Sequence, residues 1–581
     1  MKLILSISPL ISQLKKYARS DFWKDGLGGI TVAIVLIPQA MAYALLAELP
    51  AIYGLYACIV PLIVYAVLGT SRYLSIGPVA ITAILISSGL STVVEPSSPD
   101  YIELVLFLGF AIGIVQVLMS FFKMGFLVTL ISQPVITGFI SAAAVIIIVS
   151  QLQTLLGIPK STESSAFDTL ITLWNQRSTT DVPTVTLGLI SVTFLFLFKR
   201  WKPKFPASLV LIVLTSLLMY MAFPTFVSVG VIGHVPSGIA KWQSLHFPDY
   251  STLTALFPTI LTMTLIGYIG SVGVAKAMED QKHDHNVNPN KELLALGISK
   301  ILGAFFQAMP SSGSYSRSAI NMDAGSRSQL ASIIAAALVV ISLLFLSSFL
   351  YFIPKTVLAA LIIVSVLGLI NYKAAIRLYQ IKRKDFYVCV LTFGTTLLFG
   401  IENGILFGIL LSFFFVQYYS VRPHNAELVN IPGTPYYRNT KRFPEAPTNP
   451  EYIIIRFDDQ LYFGNTSFFK GTILSRINSR DQKPQFLILN MANVHDMDST
   501  GIQTFEDLVK QLRDRNIQLL LTNIIGPVRD IMYRSRLIDK IGKAHFFMEL
   551  PDAIEYIRNS EGASMYNPDV LQHNVKRSFL E

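Results

Sequence analysis

Long uninterrupted apolar runs, not the alternation of half-buried strands, set the pattern of the first 420 residues. They lie near Gly26–Ala47, Ile52–Gly69, Val79–Val94, Leu104–Phe122, Phe126–Leu156, Val185–Phe198, Ala207–Phe223, Leu253–Ala275, Leu293–Met309, Ser328–Phe352, Thr356–Ile370 and Phe386–Tyr419. Many approach the ~20 residues that a membrane-spanning helix needs. The last run is broken at "GIENG" (Gly400–Gly404), which predicts two helices there. Two stretches break the pattern differently. "SIGPVAITAILISS" (Ser75–Ser88) is short and opened by Gly-Pro. "PSSGSYSRSAINMDAGSRSQLAS" (Pro310–Ser332) is serine-rich and carries arginine between two oily runs. With the broken segments counted, the pattern predicts about fourteen membrane segments.

After Tyr419 the character changes. Ser420–Glu451 is polar and rich in Pro and Asn, a linker. Tyr452–Ile477 then reads as strand and helix, Gln485–Arg515 as strand, turn and helix, and Asn516–Ile538 repeats that order. Alternating strands and helices predict a small α/β domain. The expected organisation is an N-terminal segment over 1–25, a transmembrane domain over 26–421, a linker over 422–450, the α/β domain over 451–560 and a tail over 561–581.

Composition supports the membrane reading. Of 581 residues, 52% are hydrophobic and only 14% charged, and the mean hydropathy is +0.54; ordinary soluble chains carry about 25% charged residues. The net charge of +10 would suit a nucleic-acid binder. In a polytopic chain it is better explained by Lys and Arg gathered in cytoplasmic loops, so no nucleic-acid partner is expected. Lys2, Lys15, Lys16, Arg19 and Lys24 precede the first long run, and no cleavage-site pattern follows. An even number of spans with a basic start places both ends in the cytoplasm of a multi-pass protein of the plasma membrane, or of a bacterial inner membrane. Cys58 and Cys389 both sit in apolar runs, which argues against disulfides and zinc. "KHDHN" (Lys282–Asn286) reads as a solvated loop, not a metal site. No metal and no cofactor are expected.

The two interrupted segments fall at corresponding places in the two halves of the membrane region, about fifty and sixty residues after a span begins. Such spacing points to inverted repeats whose broken helices meet near the midplane. A half-helix starting inside the membrane leaves its first N–H groups unpaired and exposes its positive dipole end. Irregular backbone at that depth is tolerated only beside a cavity, and two positive helix ends facing one cavity favour an anion. An intramembrane arginine marks a pathway, so Arg317 would add fixed positive potential, and Ser312, Ser314, Ser316 and Ser318 could donate hydroxyls. The competing reading is an exposed loop with Arg317 among headgroups.

Ile37–Leu85 ("IPQAMAYALLAELPAIYGLYACIVPLIVYAVLGTSRYLSIGPVAITAIL"), Glu292–Ile333 and "IENGILFGILLS" (Ile401–Ser412) resemble the signatures of the SulP sulfate permease-like anion transporters. "VHDMDSTGIQTFEDL" (Val494–Leu508) resembles the STAS domain that ends most chains of that family. The resemblance runs from about Asp21 to Ser560. It implies a polytopic α-helical fold of fourteen segments in two inverted repeats of seven, with the third and tenth as half-helices. It implies a substrate site built from Gln39 and Tyr43, backbone N–H groups around Val79 and Ala80, and Tyr315, Ser316 and Arg317. Read as residues alone, Gln39 could instead make a helix–helix hydrogen bond, and Tyr43 could equally well simply pack. Gly77 permits close backbone approach, Pro78 suits a first helical turn, and Asn321 and Asp323 fit the end of the half-helix.

The sequence departs from the family pattern at two places. Where many members carry an acidic residue in the eighth helix, this chain has Gly270, which argues against coupling to protons or sodium. Glu48 stands where the family usually has glycine, as a snorkelling carboxylate or a coupling group. In the STAS domain, Asp498–Thr500 matches a loop that is phosphorylated in related anti-sigma-factor antagonists, so Ser499 and Thr500 are regulatory candidates; a helix cap is the favoured reading of them. The expected function is secondary transport of a small inorganic or carboxylate anion (sulfate, bicarbonate, chloride or a dicarboxylate) without enzymatic chemistry, by exchange or uncoupled uniport. The resemblance extends to a homodimer in the bilayer, with a cytoplasmic partner for the STAS domain. The alternatives are an anion channel or voltage-responsive protein, a proton- or sodium-coupled symporter, and a membrane-tethered signalling protein.

Overall fold

The computed structural model describes residues 9–559 apart from short stretches at 15–16, 92, 97, 130–131, 159–165, 203–204, 223–227, 235, 237 and 283–286. The loop 283–286 and the tail 561–581 discussed above therefore lie outside the described residues. The chain divides into two compact units, residues 1–412 and 413–581.

In the first unit the apolar runs become helices whose ends follow local chemistry. α1 (Arg19–Leu46), α2 (Val60–Leu68), β1 (Ser75–Gly77), α3 (Ala80–Leu90), α4 (Pro99–Phe121), α5 (Gln133–Leu156), α6 (Val182–Trp201) and α7 (Ala207–Ala222) make the first part. α8 (Tyr250–Lys282), α9 (Pro289–Phe305), β2 (Ser312–Ser314), α10 (Tyr315–Asp323), α11 (Leu330–Phe345), α12 (Lys355–Leu367) and α13 (Arg383–Phe399) follow, and α14 (Ile401–Val421) begins in this unit and continues past residue 412. Proline falls in the first turn of α2, α4, α5, α6 and α9, where its missing N–H costs nothing. α9 stops four residues short of the apolar run, because Gln307 turns left-handed at φ 56°. α13 and α14 are separated at Gly400, φ 83°, a conformation that only glycine adopts without strain.

Among the described residues, seven helices are long and apolar enough to cross a membrane; others, α3, α7 and α11 among them, are apolar but shorter. Two amphipathic helices, Ala166–Asn175 and Tyr372–Ile381, escape a search for long apolar runs because each is only ten residues long and most of its residues are exposed.

The helices pack in two groups. In one, α4 lies on α9, α11 on α1, α9 on α2, and α8 on α3 and α4. In the other, α5 packs on α12 and α13, and α6 on α12 and α7. The α4–α9 contact is close enough that a Cβ on Gly113 would lie 2.7 Å from the Gly297 carbonyl oxygen. The groups touch where α1 meets α12 and where α3 meets α5.

The second unit holds a six-stranded sheet. β3 (Asn425–Asn430), β4 (Tyr437–Asn439), β5 (Tyr452–Phe457), β6 (Phe486–Asn490), β7 (Gln518–Thr522) and β8 (Phe546–Phe547) take the order β4-β3-β5-β6-β7-β8. β5 to β8 run parallel, so helices must cross over between them. The apolar strands feed two cores. Ile453, Ile455, Leu487, Leu489, Leu519 and Leu521 face one layer; Ile454, Ile488 and Leu520 face the other with Leu550 and Ile554. That division follows the two-residue period of a strand.

At the end of β5, Asp458 gathers three partners. Arg456 donates from Nε (2.6 Å) and Nη2 (2.9 Å), Asn493 from Nδ2 (2.6 Å), and His424 Nδ1 lies 2.6 Å away. Burial alone would raise the Asp458 carboxyl. The bonds to Arg456, His424 and Asn493 outweigh it and hold the group below the usual carboxylate range. A depressed carboxyl stabilises the fold above its unfolded value and loses that contribution as the pH falls through its folded value. Asp458→Ala is expected to cost about 1–2 kcal/mol at pH 7, discounted because Arg456 and His424 are partly exposed. The cost should shrink in urea melts below about pH 4. An equal loss at pH 7 and pH 3 would show that packing, not charge, holds this corner.

Candidate functional site

β1 and β2 are three residues long, yet they pair antiparallel across 239 positions of sequence, Ser75 with Ser314, Ile76 with Gly313 and Gly77 with Ser312. Each strand runs directly into a helix, β1 into α3 and β2 into α10. The pairing satisfies backbone groups that would otherwise be orphaned at membrane depth. Side chains complete it. Ser318 Oγ accepts from the Ser75 N–H at 2.9 Å, Ser271 Oγ accepts from the Gly313 N–H at 2.8 Å, and Thr82 Oγ1 donates to Ser312 Oγ at 3.2 Å. Ser271 in turn donates to the Gly267 carbonyl at 2.5 Å.

Val79 and Ser314 are the N-cap residues of α3 and α10, both extended, and neither helix has a side-chain cap. The first N–H groups of both helices are therefore left for whatever occupies the space before them. That space is a cavity of about 680 Å³ whose lining includes Tyr43, Val79, Ala80, Gly270, Tyr315 and Ser316. Five of the seven sequence-predicted substrate residues line it.

The other two lie behind it. Arg317 is fully buried, 0% exposed. Its Nη1 donates to Gln39 Oε1 at 3.2 Å and to the Pro78 carbonyl at 3.1 Å. Gln39 therefore does make the inter-helix hydrogen bond that was the alternative to direct substrate contact, with the arginine as partner. Arg317 Nε and Nη2 are buried without a hydrogen-bond partner. A Cβ on Gly77 would stand 3.1 Å from Nη2, so glycine makes room for the guanidinium. The arginine thus ties α1, the end of β1 and α10 together, and its charge sits beneath both half-helix starts.

Lys199, Ser271, Ser312 and Ser365 also line the cavity, and the sequence reading did not assign the first, second and fourth to it. Lys199, from the end of α6, donates to the Val364 carbonyl at 3.0 Å. In sequence it is one of several basic residues closing a span, with nothing to single it out. Asn321 is structural. Its Nδ2 donates to the Tyr73 carbonyl at 3.1 Å and its Oδ1 accepts from Ser326 Oγ at 2.6 Å, while Asp323 is exposed.

Gly270 on α8 lines the cavity, and a Cβ there would meet no heavy atom within 4 Å. Glu48 lies elsewhere, just past the end of α1 at φ 58°. It lines a second cavity of about 380 Å³ with Gln151, His234 and Lys355. In the second unit, Ser499 and Thr500 open the helix Ser499–Asp514, but the cap is Asp498, whose Oδ1 accepts from the Gly501 N–H at 2.7 Å. Ser499 is exposed. Among the described residues no cluster of three or more His, Cys, Asp or Glu side chains could hold a metal ion.

Two uncapped half-helices, joined by a short strand pair and facing one cavity over a buried arginine, define a membrane protein of the anion-transporter class. Comparison with known proteins agrees. The chain matches the sulfate permease family over residues 22–392 and the STAS domain over residues 443–553. It is 36% identical to "Probable sulfate transporter 4.2" of Arabidopsis thaliana, over 95% of this chain and 83% of that one. It is 32% identical to "High affinity sulfate transporter 2" of Stylosanthes hamata, over 94% and 86%. Its fold matches murine Solute Carrier 26 family member A9, an anion transporter in the inward-facing state (TM-score 0.87, 24% identity, 96% of this chain and 95% of that one). It also matches the transmembrane domain of a cyanobacterium bicarbonate transporter, BicA (TM-score 0.60, 20% identity, 68% and 98%). The chain belongs to the sulfate permease family and carries a C-terminal STAS domain.

Proposed function

We propose that this protein is a secondary transporter of small anions, sulfate first among them, with bicarbonate, chloride and dicarboxylates as the competing substrates. The observation that carries the reading is the cavity before the uncapped starts of α3 and α10, with the Arg317 charge behind it. In the reading, Tyr43, Val79, Ala80, Tyr315 and Ser316 contact the anion, and Arg317, held by Gln39, supplies potential. The helix group carrying α3 and α10 is the moving core, and the group of α5, α6, α12 and α13 is the gate. The two cavities support this division. The larger is lined by the C-terminal part of α12 (Ser365, Val366) and the smaller by its N-terminal part (Leu358, Ala359). They therefore lie toward opposite ends of α12, where the two mouths of an alternating-access pathway would form in turn.

Transport is by exchange or uncoupled uniport, since the cavity holds no carboxylate at position 270. The end of the bundle with Lys123 and Lys199 faces the cytoplasm of a plasma or bacterial inner membrane, with both chain termini on that side and a homodimer as the assembly. The test is counterflow in proteoliposomes with labelled sulfate, bicarbonate, chloride, fumarate and oxalate. Sulfate flux that saturates and is stimulated by sulfate on the opposite side is the expected result. Flux that neither saturates nor responds to the opposite side would instead mean a channel.

A further inference from the structure

Lys300 lies in the middle of α9, 4% exposed. Among the described residues its ammonium has one hydrogen-bond partner, Gln116 Oε1 on α4 at 3.0 Å. Gln116, fully buried, passes the contact on through Nε2 to the Thr264 carbonyl of α8 at 3.4 Å. The Thr262 and Thr264 hydroxyls on the same helix are buried without partners. A neutral amide is thus the one group bonded to this buried ammonium, and a buried charge without a counter-charge is costly in low dielectric.

The neighbouring titratable groups are committed elsewhere. Glu292, eight residues earlier on α9, accepts from Tyr65 Oη of α2 and from Thr70 and Ser71. Tyr268 of α8 donates to the Gly125 carbonyl, and Glu279 of α8 accepts from the Val287 N–H. Lys123 and Lys291 lie at the helix ends, one just beyond α4 and one in the first turn of α9.

The same seam ends in a second polar pair. Side chains on a helix lean toward its N-terminus, so Lys300 reaches back toward Asn290. Gln116 and Ser120 are four apart on α4 and share a face. Ser120 Oγ donates to the Asn290 carbonyl and Asn290 Nδ2 donates to the Ser120 carbonyl, both at 2.8 Å, at the loop end of the two helices. The Asn290 Oδ1 is buried and unpartnered.

We propose that Lys300 is a proton sensor for the anion site, taking up a proton when the cavity fills and releasing it when the cavity empties. This rests on the reading of the cavity as an anion site. An arriving anion brings negative charge into the helix group that holds Lys300, and so favours the ammonium over the amine. By reciprocity a protonated Lys300 tightens anion binding by the same factor, so affinity rises as the pH falls. Lys300 does not line the cavity, so its proton stays in the helix seam and does not cross with the anion.

The test uses the full chain in detergent with sulfate as the probe, because sulfate does not itself titrate near neutral pH. Calorimetric titrations in two buffers of different ionisation enthalpy give the protons taken up per sulfate bound. Wild-type protein is expected to take up a fraction of a proton near neutral pH and to bind about tenfold tighter at pH 6.5 than at pH 8.5. Lys300→Arg, always charged, should bind at least as tightly as wild type at low pH with no proton uptake. Lys300→Met should bind weakly at every pH, again with no uptake. Uptake that persists in both variants overturns the proposal, as does a wild type that binds sulfate with none. If no anion of the counterflow panel binds wild-type protein, the anion-site reading falls first, and this inference with it.

Discussion

Arg317→Ala should weaken sulfate binding about a hundredfold, equivalent to about 2.7 kcal/mol. The arginine carries the positive charge beneath both half-helix starts and bonds Gln39 and the Pro78 carbonyl with one nitrogen. Its removal takes that charge away and leaves two buried acceptors unpaired, each costing about 1–3 kcal/mol. Part of that cost falls on the fold, so calorimetry on monodisperse protein must be accompanied by a melting curve. Arg317→Lys keeps a charge but is a point donor without the planar fork, and should bind sulfate between wild type and alanine. Gln39→Ala should cost less, and the double variant should fall short of the sum, because the two residues share one hydrogen bond. An Arg317→Ala protein that melts like wild type and binds sulfate unchanged would remove the charge from the site.

The apolar runs announced the membrane unit, because a spanning helix must be apolar over most of its length. The alternation of strands with helices announced the α/β unit, because its central strands are buried on both faces and read as short apolar runs. The half-helices were legible for a different reason: Gly77 and Pro78 in one, and the serine run around Arg317 in the other, make poor spans and good helix starts. What the sequence could not display was the pairing of Ser75 with Ser314, since three-residue strands carry no periodicity and their partners are 239 positions apart. The division of labour between Arg317 and Tyr315 was hidden for the same reason. Neighbours in sequence point to opposite sides of a short helix, one buried behind the site and one into the cavity. Lys199 and Ser365 come from helices whose own patterns are those of ordinary spans, so nothing local marks them.

Gly270 is a position at which one substitution would place a carboxylate in the anion cavity. It lines the cavity, and a side chain there meets open space, so Gly270→Glu should fold. Its carboxylate would enter the cavity that the uncapped helix starts make favourable for an anion, and there it would compete with the substrate. Sulfate affinity at pH 7.5 should fall more than tenfold, and the loss should shrink toward pH 5 as the carboxylate takes up a proton. Gly270→Gln, of the same size and neutral, should lose much less. The Lys300→Arg background isolates this effect, because there the remaining pH dependence belongs to the new glutamate. The wild-type chain, lacking that carboxylate, should take up sulfate into liposomes no faster under an inward proton or sodium gradient at clamped voltage than in symmetric buffers of either composition. Acceleration by either gradient would mean that a coupling group lies outside position 270. Glu48, in the second cavity with His234 and Lys355, is then the residue to replace first: Glu48→Gln would abolish the gradient effect if that carboxylate carries the coupling ion, and would leave it intact if it merely shapes the opposite mouth of the pathway.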